Sequence, residues 1–259
     1  MALRLSGALR YPLRGERSMD LFVVGGLLGL VTVIVGQLGV AMGTSQPLLA
    51  VPFLVASMAT ATALLGYLLR VFETTVDGGE IPPSFRPLGS TLRRGCRLAV
   101  LSAGYAILLV AVFAVVLAVF TRLPFSAAVG FAGSMAFFLL STTTLVAVLA
   151  IGYTYSIAVG RIAEGTTLLE AIDIRLQRPV LLDGGYAIAW LIAFLIVVPG
   201  WGFLAASFSR RTIVGVGAVF LAFYAHLVSI RVLARGYRSA TGRDSPSVET
   251  NGEPIGRSR

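Results

Sequence analysis

The most informative feature of this chain is a series of long apolar runs that alternate with short polar segments rich in arginine. A helix needs about 20 apolar residues to cross the roughly 30 Å hydrocarbon core of a bilayer. Six runs reach that length, at about residues 21–42, 47–69, 98–120, 126–151, 186–206 and 212–233. The pattern predicts an all-α integral membrane helical bundle whose six spans form three hairpins.

Two polar linkers separate the hairpins, and each contains an amphipathic stretch. In the first linker, Asp77-Gly78-Gly79-Glu80 is typical of a turn and Pro82-Pro83 excludes helix. Apolar residues then recur at helical spacing over about 85–97. In the second linker, about 166–178, apolar residues again share one helical face (Leu168, Leu169, Ile172 and Leu176). We predict two helices lying in the headgroup layer with their apolar faces toward the lipid.

Arginine is the only basic residue type, and its distribution predicts the orientation. Eighteen of the 21 arginines lie in the amino-terminal segment, in the two linkers, and in the carboxy-terminal part that begins with Arg231 at the end of the sixth run. The other three, Arg122, Arg210 and Arg211, follow the opposite ends of spans. Because basic loops stay in the cytoplasm, we predict a cell-membrane protein with both termini cytoplasmic. The predicted boundaries are a basic segment over 1–19, a membrane domain over 20–237 and a disordered tail over 238–259.

Composition narrows the possible chemistry. The net charge of +9 could indicate nucleic-acid binding, but arginines that flank apolar runs are a topology signal, so we expect no nucleic-acid partner. The single cysteine, Cys96, and the single histidine, His226, are too few for an ordinary zinc site. We find no catalytic motif and expect neither a cofactor nor an enzymatic activity.

The two linkers resemble each other, which predicts an internal repeat. Aligning Tyr-Ala-Ile at 105–107 with the same tripeptide at 186–188 superposes arginines of the two linkers. The superposed pairs are Arg94 with Arg175 and Arg97 with Arg178. Together with Arg93, these arginines are candidates for contact with anionic lipid headgroups, each contributing about 1 kcal/mol.

Polar groups inside the spans are few. No aspartate, glutamate or arginine falls in the middle of a predicted span, and the exceptions to an apolar interior include Tyr224 and His226 of the sixth span. Two interpretations of His226 remain open: a packed, hydrogen-bonded histidine, or a proton relay or ligand site of a transporter.

Several short motifs occur in a characteristic order along the chain. They are Arg10-Tyr11-Pro12, Gly25-Gly26-Leu27-Leu28, Gly66-Tyr67-Leu68-Leu69-Arg70, Gly78-Gly79-Glu80, Pro82-Pro83 with Phe85, and Gly95 followed by Gly104-Tyr105. This order resembles the prokaryotic, largely archaeal, membrane proteins of domain-of-unknown-function family 4013, over roughly 8–237. The resemblance implies a fold and a membrane location but no activity, so it supplies no functional residues. A typical member carries acidic and aromatic residues after Phe85, where this chain has Arg86-Pro87-Leu88.

Three hypotheses about function follow. The leading one is a non-enzymatic scaffold or partner subunit that docks a membrane-protein partner, or a second copy, through its cytoplasmic surface helices. The candidate loop motif for this role is Glu80, Pro82, Pro83 and Phe85. The alternative is a small-molecule or ion transporter or channel subunit. An intramembrane enzyme is the third, and it lacks a supporting motif.

Overall fold

The computed structural model describes residues 5–13, 18–122, 130–209 and 213–243, and every structural statement below refers to these residues. Their regular elements are helices: α1 (Leu5–Leu9), a 3-10 turn (Tyr11–Leu13), α2 (Ser18–Gly43), α3 (Pro47–Val76), α4 (Leu88–Arg122), α5 (Phe131–Ala163), α6 (Leu168–Ile172), α7 (Ile174–Leu181), α8 (Gly184–Ser209) and α9 (Ile213–Ala240). Six of them, α2 to α5, α8 and α9, are long and apolar enough to cross a membrane. The predicted all-α, multi-pass membrane bundle is confirmed.

The two helices of each predicted hairpin contact each other, most extensively α8 with α9 and α2 with α3, whereas α4 contacts α3 more than it contacts α5. Helix α9 is central, because it also contacts α2, α3 and α5, whereas α4 joins the bundle mainly through α3. The end of α9 meets both linkers, since Arg231 bonds to Gly79 and Arg243 pairs with Glu164. We call this end of the bundle the basic side and the opposite end the far side.

The helices continue beyond their apolar runs on the basic side. Helix α3 ends at Val76 rather than near 69, α4 begins at Leu88 rather than 98, and α5 reaches Ala163 rather than 151. At 1.5 Å per residue, these extensions add about 10 to 18 Å of helix. Charged residues lower the mean hydropathy in these extensions, so the predicted spans ended before them. The helices continue because neighbouring helices still cover one face.

The predicted separate surface helix over 85–97 is wrong. Residues from Leu88 onward form the first turns of α4, with no break before the membrane span. Thr91, Gly95 and Leu98 are buried on one face, so this segment packs upright against the bundle. The charged residues that suggested a flat helix occupy the remaining faces.

The second predicted surface segment, 166–178, is present as two short helices, α6 and α7, which meet at Asp173. Thr167 and Glu170 form a capping box that starts α6, and the Asp173 carboxylate accepts a hydrogen bond from the Arg175 N–H to start α7. Leu169, Ile172 and Leu176 of the predicted apolar face are exposed, whereas Leu168 is half-buried against the main apolar cluster. Ala171, Gln177 and Val180 are buried.

The packed core of the bundle lies near the basic side. Its main cluster contains Leu69, Phe72, Val76, Leu98, Leu101, Ile157, Ile162, Tyr186 and Tyr237. By contrast, the most apolar 18-residue windows of α4 and α5 contain no buried residue. Lipid tails are as apolar as leucine, so no hydrophobic force drives helices together in mid-membrane. Where the helices leave the lipid, burial of apolar surface again stabilises their packing.

Several predicted features lie outside the described residues. They are Arg4, Arg14 and Arg17 of the amino-terminal segment, the loop after Arg122 from residue 123, Arg210 with Arg211, and the tail from residue 244. Helix α9 continues three residues past the predicted domain boundary at 237, to Ala240.

Helices α3 and α4 cross in close backbone contact. A Cβ atom added at Gly66 would overlap the carbonyl oxygen of Thr91, and one added at Gly95 would overlap the carbonyl oxygen of Thr62. Backbone therefore lies directly on backbone, which only glycine permits on both helices. This crossing attaches the α4–α5 hairpin to the rest of the bundle.

We predict that Gly66→Ala and Gly95→Ala each lower the free energy of unfolding by about 2–3 kcal/mol, because the two backbones must separate. Gly104→Ala is the matched control on α4, since a Cβ atom there meets nothing within 4 Å. Thermal unfolding of the three variants in one detergent measures the difference. Equal stability of Gly95→Ala and Gly104→Ala would contradict the crossing.

Candidate functional site

The most unusual polar residue of the bundle is Arg231 of α9, whose side chain is only 2% exposed. Its Nη1 donates hydrogen bonds to Thr75 Oγ1 at 2.9 Å and to the carbonyl oxygen of Gly79. Its Nη2 lies 3.5 Å from Glu80 Oε1. The guanidinium carbon sits 4.3 Å from the ring centroid of Tyr11, a cation–π contact. A buried guanidinium is tolerated only with such a set of partners.

Local sequence explains how these groups meet. Helix α3 ends at Val76, and Gly78 with φ +91° reverses the chain in the left-handed region that favours glycine. This turn directs the Gly79 carbonyl and the Glu80 side chain toward α9. Arg235, one turn after Arg231 on the same face, also reaches Glu80 Oε1, at 3.6 Å. We call Tyr11, Thr75, Glu80, Arg231 and Arg235 the Arg231 network.

The amino-terminal segment is held on α9 at two points. Tyr11 packs on Arg231, and the Tyr224 hydroxyl donates to the carbonyl oxygen of Leu9 at 2.5 Å. Burial raises the pKa of Tyr11 above its ordinary value, although the Arg231 guanidinium acts in the opposite direction. The phenol is therefore neutral near pH 7, and the network carries two arginine charges against one carboxylate.

The rest of the predicted loop motif packs against α3. Phe85 stacks on Tyr67 with ring centroids 3.9 Å apart and planes 10° from parallel. Arg70 Nη1 donates to the carbonyl oxygens of Ser84 at 2.9 Å and Arg86 at 2.6 Å. Pro82 is buried and Pro83 half-buried. The motif thus fastens the first linker to the bundle through apolar and backbone contacts, with Glu80 its link to α9.

A charged crevice of about 300 Å³ lies between α3, α4 and the end of α5. Arg94 pairs with Glu73 at 3.0 Å, and the Arg97 Nη2 donates to the carbonyl oxygen of Thr166 at 3.2 Å. Asp77 and Glu164 complete its polar lining. Among the described residues, no group of three histidine, cysteine or carboxylate side chains is arranged to hold a metal ion.

The five arginines predicted to contact lipid headgroups do not form one set. Arg94 is half-buried and paired with Glu73, and the headgroup contacts of all five arginines stay a prediction. Arg93 and Arg97 are exposed on α4, and Arg175 and Arg178 are exposed on α7. The alignment of Arg94 with Arg175 therefore joins two residues in different environments, and the internal repeat stays a prediction.

Tyr224 and His226 are not brought together, because they lie on different faces of α9. His226 Nε2 accepts a hydrogen bond from the Trp201 Nε1–H at 3.1 Å, and its Nδ1 lies 2.7 Å from the carbonyl oxygen of Ala222. With Nδ1 as the donor, both ring nitrogens are occupied. This geometry favours the packed, hydrogen-bonded histidine over a proton relay.

Sequence reasoning missed the centre of the site. It assigned Arg231 to an ordinary helix end, noted Tyr11 only within a motif, and overlooked Glu73. The available signal was the spacing of Arg231 and Arg235, which places two arginines on one face of a helix that is otherwise apolar before them.

The fold and this site define a polytopic helical membrane protein whose distinctive polar contacts join its linkers and termini at one end of the bundle. The chain belongs to the family described as "Protein of unknown function (DUF4013)", whose profile matches residues 47–223. The match confirms the resemblance and spans α3 to the first part of α9, up to residue 223, while Tyr11 and Arg231 fall outside it. Comparison with curated proteins and with solved structures finds no match.

We predict that Arg231→Gln lowers the free energy of unfolding by about 2–4 kcal/mol, because it leaves buried acceptors unsatisfied. Glu80→Gln should lower it by less than about 1 kcal/mol, because the Glu80 side chain is 63% exposed. Arg93→Gln is the control for loss of an exposed arginine on the basic side. Unfolding in detergent measures all three, and an Arg231 variant as stable as the Arg93 variant would show that the network does not hold the bundle.

Proposed function

We propose that this protein is a non-enzymatic scaffold or partner subunit of the cytoplasmic membrane, with both termini in the cytoplasm. It docks the transmembrane helices of a partner membrane protein. The observation that carries the proposal is the α4–α5 hairpin, which contacts the bundle near the basic side and exposes most of its far half. We therefore place the docking surface on the α4–α5 hairpin and not on the surface helices predicted from the sequence, because the first of those is part of α4.

Two open grooves flank the seam between α4 and α5 in this far half, with volumes of about 360 and 440 Å³. The first is lined by Ala111, Val115, Val119, Thr143 and Ala147, among others. The second contains Phe113, Phe120, Phe137, Ser141 and Leu145. Each groove therefore combines an apolar wall with a hydroxyl group, and the first also has small residues.

Small residues and hydroxyl groups are what transmembrane helices use to associate, since lipid gives them no hydrophobic reason to do so. The base of the hairpin is fixed, which presents the grooves in a defined position. The Gly66–Gly95 crossing fixes α4 on α3, and the Ser102 and Tyr155 hydroxyls lie 2.8 Å apart between α4 and α5. A partner helix would meet a surface that needs little ordering.

The placement of ionisable groups supports docking over transport. Coupled transport usually leaves a charged side chain facing a cavity within the membrane. The ion pairs of this bundle are at its basic side, and His226 has both ring nitrogens occupied. A transporter or channel stays the alternative: solute flux into proteoliposomes that is lost in His226→Ala would favour it over the scaffold.

Photocrosslinking in native membranes tests the docking surface. A photoreactive residue at Val115 in the first groove should give a discrete protein adduct. Leu195 of α8 is the matched control, because both side chains are 63% exposed, and it should give no comparable adduct. Filling the groove with Ala147→Phe should abolish the Val115 adduct without changing the amount of protein in the membrane.

Three results would contradict the proposal. The first is a Val115 yield no higher than that of Leu195, and the second is an adduct that persists in Ala147→Phe. The third is an adduct that contains only lipid. An adduct of twice the mass of this chain would identify the partner as a second copy.

A further inference from the structure

We propose that the groove between α4 and the α6–α7 segment binds one anionic phospholipid. Its acyl chain would lie in the groove and its phosphate would contact Arg93 and Arg97. This groove, which we call the lipid groove, has a volume of about 430 Å³. It lies nearer to the basic side than the docking grooves, on the same face of α4 as the first of them, and the proposal is independent of the scaffold role.

The walls of the lipid groove are almost entirely apolar. Helix α4 contributes Val100, Leu101, Gly104 and Leu108, and the segment after α5 contributes Leu168, Leu169, Ile172 and Ile174. From Val100 to Leu108 the groove runs about 12 Å along α4. Gly104 leaves its centre open, because a Cβ atom there would meet nothing within 4 Å.

The mouth of the groove is cationic because of helical spacing. Arg93, Arg97, Val100, Gly104 and Leu108 follow each other at three- and four-residue steps, which places them on one stripe of α4. The two arginines stand at the end of this stripe on the basic side, and both are exposed. A cationic mouth that leads to apolar walls matches an anionic phospholipid, which has a negatively charged headgroup followed by apolar acyl chains.

The hydrogen bonds of this region are compatible with a bound phosphate. Arg97 gives one N–H of Nη2 to the Thr166 carbonyl oxygen, which positions the guanidinium beside α6 and leaves further donors on a group that has five. Of the carboxylates that line the charged crevice with Arg97, Glu73 pairs with Arg94 and Glu164 pairs with Arg243. On the α6–α7 side, Glu170 accepts from the N–H and hydroxyl of Thr167, and Asp173 accepts from the Arg175 N–H. Those bonds lower the pKa of Glu170, which caps α6 in its charged form.

The occupant is a lipid rather than a soluble anion because of what surrounds the groove. Leu169 is 79% exposed and Ile174 66% exposed beside it, which suits contact with a bilayer. An acyl chain gains little by moving from the bilayer into an apolar groove. Selectivity therefore rests on the headgroup charge, and the groove determines where that headgroup is held.

Native mass spectrometry of the purified full chain, titrated with phosphatidylglycerol or phosphatidylcholine in neutral detergent, tests the proposal. We expect one phosphatidylglycerol to bind more tightly than any phosphatidylcholine. The double variant Arg93→Gln/Arg97→Gln should weaken it roughly 25-fold, about fivefold for each arginine. The charge-matched control is Arg10→Gln/Arg86→Gln, which removes two exposed arginines that precede α4 and therefore are not on its stripe.

A second pair of variants tests the groove itself. Gly104→Phe should fill the groove and abolish the tight phosphatidylglycerol, without distorting the backbone. Gly202→Phe on α8 is its control, because a Cβ atom at Gly202 also meets nothing within 4 Å. Retained folding is checked by thermal unfolding of the same samples.

Each of three outcomes would overturn the proposal. If both double arginine variants weaken phosphatidylglycerol binding equally, the attraction is a general charge effect of the basic side. If Gly104→Phe binds as the original chain does, no acyl chain occupies the groove. Binding of inorganic phosphate that competes fully with phosphatidylglycerol would also overturn it, since the occupant would then be a soluble anion.

Discussion

The contact between Arg231 and the groups around it is the constraint on which the basic side of this bundle depends. A guanidinium taken out of water needs several acceptors at once, and no single element of this chain supplies them. The end of α3 gives the Thr75 hydroxyl, the first linker gives Gly79 and Glu80, and the amino-terminal segment gives the face of Tyr11. Because the partners come from three segments, satisfying one charge fixes the positions of all three against α9.

The bundle is therefore built from a packed base and a looser far side. At the base, helices extend beyond their apolar runs, and the main apolar cluster, the ion pairs and the linker contacts occur together. Toward the far side the α4–α5 hairpin loses contact with the other helices. This division follows from the solvent. Burying apolar side chains between helices is strongly favourable where they would otherwise contact water, and it is only weakly favourable where they would otherwise contact lipid. Surfaces left open in the lipid are available to a partner or to a lipid molecule.

Particular residues show which parts of the structure can be predicted from the sequence and which cannot. Six apolar runs and their polar separators predicted the six long helices, because span length and backbone satisfaction leave few other structures in a bilayer. The turn at Gly78 was also predictable from local chemistry. The continuity of α4 could not be predicted from local sequence, because it depends on Gly66 of α3 lying against Gly95 of α4. Arg231 looked like an ordinary flanking arginine for the same reason: its burial is decided by α3 and the first linker, not by its neighbours in the chain.

The most direct test of this account is a double-mutant cycle between Arg231 and Thr75, whose side chains are 2.9 Å apart. Arg231→Met and Thr75→Val remove the two polar partners with little change of volume, alone and together, and unfolding in detergent gives the free energies. If the buried guanidinium joins α9 to α3, the two effects should fall short of additivity by about 1 kcal/mol or more. Effects that add within about 0.5 kcal/mol would show that the two residues act independently, and the account would be wrong.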